Sequence, residues 1–216
     1  MRLPHIIIGT MAAGLLALGV VRAQTEAPAA QAAANVAALH KAEFRTTMRA
    51  LWGDDAALTR NAVISIVANL PDVDSVSARL MKNQEAIGNA VKPYYGSETA
   101  AKLTGLLKDR VSIAVEAIRT ARGGDKSKLA TAQRKASDNS KQIADLIAAA
   151  PTWDKAAMQT MLQKHLDLTT AEAQSRVAKN WAADLKAYDD GRDQMLTFAD
   201  TLTDGIAQQF PAKFTG

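Results

Sequence analysis

His165 is the residue in this sequence best suited to metal or acid–base chemistry, because it interrupts an apolar helical face. Four apolar residues recur around it at steps of three and four, as one face of an α-helix requires: Met158, Met161, Leu162 and Leu168. Thr169 and Glu172 follow one and two turns later on the same side. An imidazole beside thioethers can bind a soft ion such as Cu(I), but methionine at helical spacing is also ordinary core filling. The pattern leaves open a metal site and a buried cluster of polar groups.

Asp55 and Arg110 occupy the same place as His165 in a pattern that repeats every 55 residues. The flanking positions match in four sets, which are Met48, Leu103 and Met158; Leu51, Leu106 and Met161; Trp52, Leu107 and Leu162; and Leu58, Ile113 and Leu168. All these offsets lie within about 60° of the central residue on a helical wheel. Each repeat ends in proline and a nearby aromatic residue, namely Pro93 with Tyr94, Pro151 with Trp153 and Pro211 with Phe214. The pattern predicts three αα-hairpins packed as one bundle.

Packed with their apolar faces inward, the hairpins would bring the three central residues together in the middle of the bundle. Buried charges normally have partners. We therefore expect Asp55 to pair with Arg110 and Glu172 to pair with Arg192, with His165 between the two pairs.

This polar centre predicts a pocket for a small anionic or zwitterionic ligand. The second helices contribute Asn83 and Asn139 on their inner stripes, and the last helix has Arg192, Asp193 and Gln194 at the comparable place. The expected ligand-binding set is Asp55, Arg110, His165, Thr169, Glu172, Arg192, Asn83 and Asn139. The same residues could instead form a cluster that serves only helix register. Metal binding is a third alternative, but residues 24–216 contain only two histidines, His40 and His165. We expect no cofactor.

The motifs of common enzyme classes do not occur in this sequence. It has no GxSxG elbow, no P-loop and no dinucleotide-binding glycine motif. The neighbouring carboxylates Asp54 and Asp55 point to different helix faces, which makes them a poor acid–base couple. Residues 189–193 lack the oxygen spacing of a calcium loop. The sequence therefore favours a non-enzymatic protein.

Six helices are needed to position these residues. Apolar spacing predicts them over residues 35–70, 73–91, 98–122, 126–149, 153–177 and 180–210. The breaks coincide with Pro71, residues 92–96, Gly123-Gly124 and Pro151, and the predicted caps are Asp72, Ser97, Asp125 and Thr152. The last two helices have no glycine or proline between them, so one continuous or kinked helix is an alternative.

Residues 1–23 have the pattern of a secretory signal peptide. Arg2 precedes an uncharged apolar run of about 16 residues, and Val21-Arg22-Ala23 ends in small residues, which predicts cleavage after Ala23. The run is shorter than the roughly 20 residues that span a bilayer, so we expect no stable membrane anchor after cleavage. Residues 24–34 are predicted to be a flexible lead-in, followed by a single domain over residues 35–216.

Charge and cysteine usage narrow the class of protein further. Removing residues 1–23 takes away Arg2 and Arg22, so the net charge falls from +4 to +2. Without a basic run, nucleic-acid binding has no electrostatic support. The 216-residue chain has no cysteine, so an exported form relies on its core rather than on disulfides. We expect a periplasmic or secreted protein.

Several segments resemble a family of bacterial helical proteins of unknown function. They are LWGDDAALTRNAVIS at 51–65, RLMKNQEAIGNAVKPYYG at 79–96, LTGLLKDRVSIA at 103–114, HLDLTTAE at 165–172 and DGIAQQFP at 204–211. The resemblance covers most of residues 24–216 and implies a helical fold without implying a reaction. Members often carry histidine where this chain has Asp55, Arg110 and Arg192, and only His165 matches. The resemblance therefore suggests that charge pairs have replaced a metal site here.

Overall fold

The computed structural model describes residues 16–148 and 153–215, with side chains described from residue 28 onward. Its helices are α1 (Leu16–Ala68), α2 (Val73–Gly123), α3 (Lys126–Ile147), α4 (Lys155–Val177) and α5 (Trp181–Gln209), and a 3₁₀ turn spans Pro211–Lys213. No strand occurs in these two ranges. The all-α prediction is confirmed, with five helices in place of the six expected.

The difference in helix number comes from α2, which includes both the second and the third predicted helix. Gly96 interrupts it with a non-helical backbone (φ 79°, ψ 170°). That positive φ is readily adopted only by glycine. Residues 73–95 and 97–123 are therefore two helical segments that meet at a kink.

Capping residues define most of the other helix ends. The Asp125 side chain accepts a hydrogen bond from the Lys128 N–H, as expected for a cap of α3. Helix α4 begins at Lys155 rather than Trp153, because Asp154 accepts bonds from the N–H groups of residues 156 and 157. The predicted cap Thr152 lies outside the described residues, as does Pro151. The Asp72 side chain makes no capping bond in the described structure.

Helices α4 and α5 are separate. Lys179 has a positive φ of 58°, and the Asn180 side chain accepts a bond from the Ala183 N–H at the start of α5. A polar residue in the left-handed region followed by an N-cap ends one helix and begins another without glycine or proline. This resolves the alternative of one continuous helix.

Helix α1 begins earlier than predicted. Its helical backbone includes residues 24–34, which were expected to be a flexible lead-in, and the side chains of residues 28–36 are all exposed. Of the predicted signal peptide, residues 1–15 lie outside the described residues. Within the described ranges, no helix is both long and apolar enough to cross a bilayer.

The five helices pack as a bundle in which neighbours along the chain lie side by side, and α5 returns to α1. The main core contains the apolar positions of the repeat, including Met48, Leu103 and Met158. The aromatic residues at the repeat ends belong to the same core: Tyr94 stacks on Phe214 with ring centroids 5.3 Å apart, and Trp153 is 8% exposed. The apolar face predicted for each first helix is therefore the face that is buried.

Candidate functional site

Asp55, Arg110 and His165 line one cavity between α1, α2 and α4, as the repeat predicted. Its volume is about 20 Å³, which is room for about one water molecule. The polar part of its wall is completed by Thr59, Gln84 and Thr169, and apolar side chains such as Leu80 and Leu107 form the rest. The three central residues therefore face a shared, very small chamber.

Asp55 is held by an amide that the sequence analysis did not select. The Nε2 of Gln84 donates to Oδ1 of Asp55 at 2.7 Å and also to the Leu80 carbonyl at 3.2 Å. Both Asp55 and Gln84 are buried. Burial raises the pKa of Asp55, although the charge of Arg110 and the Gln84 bond oppose that shift.

His165 is buried and neutral. Burial lowers its pKa from 6.5 to about 3, helped by the nearby charge of Arg110 and opposed by the backbone of Gly191. Its Nε2 lies 3.9 Å from Oδ2 of Asp55, too far for a direct hydrogen bond. Its Nδ1 makes no hydrogen bond of normal geometry with a described residue. A neutral imidazole next to a carboxylate can exchange hydrogen bonds with a small polar molecule in the cavity.

Arg110 does not form the expected ion pair with Asp55. Although both residues belong to the described part of the chain, their charged atoms do not approach within the 4.0 Å of an ion pair. Arg110 is half-buried, yet enough protein surrounds its guanidinium for burial to lower its pKa, and Asp55 opposes the change. The two charges therefore interact across the cavity rather than in contact.

Three amide side chains hold the second helical segments to the first ones at the level of these central residues. The side-chain amide nitrogens of Asn83, Asn139 and Gln194 donate to the carbonyls of Leu51, Leu106 and Met161 at 3.0, 2.9 and 2.7 Å. Each carbonyl belongs to the residue four positions before a centre, which is the carbonyl that the centre's own N–H approaches in an α-helix. We call these bonds the amide clasps. They tie two helical segments together beside each central residue.

Glu172 belongs to a second buried cluster, away from the expected partner Arg192. Arg60 Nη1 binds Glu172 Oε1 at 2.7 Å and also contacts Asp184, while Arg176 Nη1 binds Asp184 at 2.8 Å. Glu172 and Asp184 are 4% and 1% exposed, and burial raises the pKa of Glu172 to about 7. The side chain of Arg192 is 52% exposed, with Asp193 at 3.9 Å. The expected Glu172–Arg192 pair is therefore wrong, since α5 turns Arg192 outward.

The predicted site residues thus fall into four places. Asp55, Arg110, His165 and Thr169 line the cavity, and the Thr169 hydroxyl also donates to the His165 carbonyl at 2.9 Å. Asn83 and Asn139 form clasps, Glu172 lies in the ion cluster, and Arg192 lies at the surface. Sequence reasoning missed Gln84, Arg60, Asp184 and Arg176. Gln84 adjoins Asn83 in the segment quoted at residues 79–96, so that segment could have suggested it, whereas nothing local marks Arg60 as a partner of buried carboxylates.

Comparison with known proteins finds no matching family model, no similar curated protein and no similar solved structure.

Proposed function

We propose that this protein is a non-enzymatic helical-bundle module, whose polar centre and amide clasps fix the register of its helices and whose surface contacts partners. The observation that carries the proposal is the size of the central cavity. Three polar residues from three separate helical segments line about 20 Å³, whereas pockets for small organic ligands have volumes of about 300 Å³ or more. The polar groups of the centre therefore interact with one another and with at most one very small molecule.

The amide clasps support a threefold hairpin repeat as the basis of this architecture. Their acceptors, Leu51, Leu106 and Met161, are spaced by 55 residues, and their donors lie 32 or 33 residues further along the chain. A heptad pattern alone would align apolar faces in many registers. A side-chain bond to the same carbonyl in each hairpin selects one register, which is the role that a buried polar residue performs best.

Replacing the clasp amides with apolar residues tests the proposal. We expect the triple variant Asn83→Leu, Asn139→Leu and Gln194→Leu to keep its helix content by far-UV circular dichroism. It should lose dispersion in its amide NMR spectrum and bind a hydrophobic dye, because helices without a register-fixing group slide. Leu58→Ile, which repacks a half-buried apolar site of α1, is the control and should retain wild-type dispersion. A triple variant with wild-type NMR dispersion would contradict the register role.

Binding of a small anionic or zwitterionic ligand is the second candidate function, and one observation favours it. Among the described residues, Arg110 has no ion-pair partner and Nε2 of His165 lies 3.9 Å from Oδ2 of Asp55 without a direct hydrogen bond, so a guest between these groups could use both. Native mass spectrometry of the protein purified from its source compartment tests this candidate. A ligand or metal that the wild type retains and Arg110→Ala loses would favour binding over the register role. If the wild type retains no ligand or metal, the result favours the register role.

Export to the periplasm is part of the same proposal and rests on the pattern of residues 1–23. Amino-terminal sequencing of protein from the periplasmic fraction is expected to begin at Gln24. A mature chain that begins at Met1, or a protein confined to the cytoplasmic fraction, would refute it.

A further inference from the structure

Two polar atoms of the central cavity have accessible surface but no hydrogen-bond partner among the described residues. Oδ1 of Asp55 is bonded to Gln84, whereas Oδ2 lies 3.9 Å from Nε2 of His165, and neither of these two atoms makes a direct hydrogen bond. Neither is fully covered by protein, in contrast to Nδ1 of His165. Because both side chains are buried and line the cavity, Oδ2 and Nε2 face its interior.

The gap between these atoms has the dimensions of one water molecule. A water oxygen lies about 2.8 Å from a hydrogen-bond partner, so a water bonded to both atoms would see them about 90° apart, which its bonding directions accommodate. The cavity volume of about 20 Å³ is also that of a single water site. A larger guest would have to displace the buried walls Leu80 and Leu107, which close packing opposes.

The donors and acceptors around the gap match those of water. Oδ2 of an ionised Asp55 accepts a hydrogen bond, and Nε2 of a neutral imidazole accepts or donates according to its tautomer. The guanidinium of Arg110 lines the same cavity and can only donate. A water molecule can donate to Oδ2, serve either tautomer of His165 and accept from Arg110. It would thus make about three hydrogen bonds, the usual number for a buried water.

The charges of the cavity disfavour an ion at the same place. Asp55 repels an anion and Arg110 repels a cation, while His165 is neutral, so the charges facing the gap balance. Among the residues that the structure describes, no three His, Cys, Asp or Glu side chains are grouped so as to hold a metal. A neutral guest is therefore favoured over a charged one.

The cavity has one side through which a water can enter. Arg110 and Ala114 are half-buried, whereas the other residues that line it are buried. These two residues lie one turn apart on α2, so they share a face of the helix. The side of the cavity towards solvent is therefore at Arg110 and Ala114, and exchange of a water does not require the bundle to unfold.

We infer that the central cavity binds one water molecule, which bridges Nε2 of His165, Oδ2 of Asp55 and the guanidinium of Arg110. The bridge joins α4, α1 and α2, so the inference rests on the register role proposed for the polar centre and names the molecule through which its three residues interact. It also accounts for two opposite charges that face each other without an ion pair, because the water lies between them.

Oxygen-17 magnetic relaxation dispersion of the full chain, which counts long-lived internal waters, tests the inference. Val111→Ile adds one methylene at a buried wall residue, and we expect this variant to contain one such water fewer than the wild type. The matched control is Val67→Ile, a half-buried residue of α1 that does not line the cavity, and it should contain as many as the wild type. Melting curves establish that both variants fold.

A crystal structure of the wild type keeps the test decisive if Val111→Ile does not fold. We expect one oxygen peak within about 3.2 Å of both Nε2 of His165 and Oδ2 of Asp55. Direct contact between Arg110 and Asp55, or an ion or organic molecule in the gap, would overturn the water site. An equal number of long-lived waters in the wild type and folded Val111→Ile would also overturn it.

Failure of the water site is distinguishable from failure of the register role. The register role is measured by the NMR dispersion of the clasp variant, and the water site by relaxation dispersion and diffraction of proteins with intact clasps. Loss of NMR dispersion in the clasp variant, together with no bridging water in the wild type, would refute the water site alone.

Discussion

Glu172 and His165 should make the protein respond to acid in opposite directions. Burial raises the pKa of Glu172 from 4.5 to about 7, and burial with Arg110 lowers that of His165 from 6.5 to about 3. A carboxyl with a raised pKa contributes stability that is complete below about pH 4.5 and is lost as the pH rises through about 7. A histidine with a lowered pKa contributes stability that is complete above about pH 6.5 and is lost as the pH falls towards about 3.

The two contributions nearly cancel over the usual working range. Between about pH 8 and about pH 5, protonation of His165 in the unfolded chain alone lowers the free energy of unfolding by about 2 kcal/mol. Protonation of Glu172 in the folded chain raises it by about 2 to 3 kcal/mol over the same interval. The free energy of unfolding of the wild type should therefore change little with pH on account of these two groups. Removing either group should make the pH dependence of the other measurable.

Urea unfolding of wild type, Glu172→Gln and His165→Gln at several pH values between about 5 and 8 measures these terms. Relative to wild type, Glu172→Gln should lose about 2 to 3 kcal/mol on going from pH 8 to pH 5, and His165→Gln should gain about 2 kcal/mol. Other titrating groups are common to all the proteins and cancel in these differences. Exposed Glu43→Gln is the control and should run parallel to wild type. Parallel curves for Glu172→Gln as well would refute a carboxyl that titrates near neutrality in the folded protein.

Two further changes test the packing. Gly205→Ala would place its Cβ 2.5 Å from the buried ring of Trp153, so we expect it to destabilise the protein by about 1 to 3 kcal/mol. The control Gly105→Ala meets no atom within 4 Å and should stabilise the protein by up to about 1 kcal/mol. Equal melting temperatures for the two variants would contradict the close approach of Gly205 to Trp153. Asn83→Ala should lower the free energy of unfolding by about 1 to 2 kcal/mol through loss of its clasp. Asn139→Ala should lower it by less, because this change also removes a buried oxygen that has no donor among the described residues. Equal losses of the free energy of unfolding, measured in urea, would count against that difference.

Much of the fold was predictable because helix formation and its termination are local. Apolar spacing predicted the buried faces, and Asp125 marked a helix start through its own side-chain bond. The start of α4 was misplaced by two residues, because Asp154 rather than an earlier residue caps it. The break predicted at residues 92–96 coincides with the kink at Gly96. Local signals could not reveal that helical backbone continues up to Gly96 from both sides, since that depends on how both segments pack.

The repeat also predicted that Asp55, Arg110 and His165 would meet, because equal spacing on amphipathic helices brings equivalent positions to one level of a bundle. The sequence did not predict their interactions. Whether Arg110 touches Asp55 or faces it across a cavity depends on small differences in the distance between their charged groups. The packing of the apolar side chains around them sets that distance.

The sequence by itself determined an all-α chain, the buried faces of its helices and the meeting of three polar residues. Apolar periodicity and helix capping depend only on residues that are close together in the sequence. Only the tertiary structure decided that Glu172 binds Arg60, 112 residues away, while Arg192 faces solvent, and that the central cavity has room for about one water molecule. These outcomes depend on the rotation of each helix about its axis and on side chains distant in the chain. The same dependence explains why a polar centre was evident from the sequence while its size and partners were not.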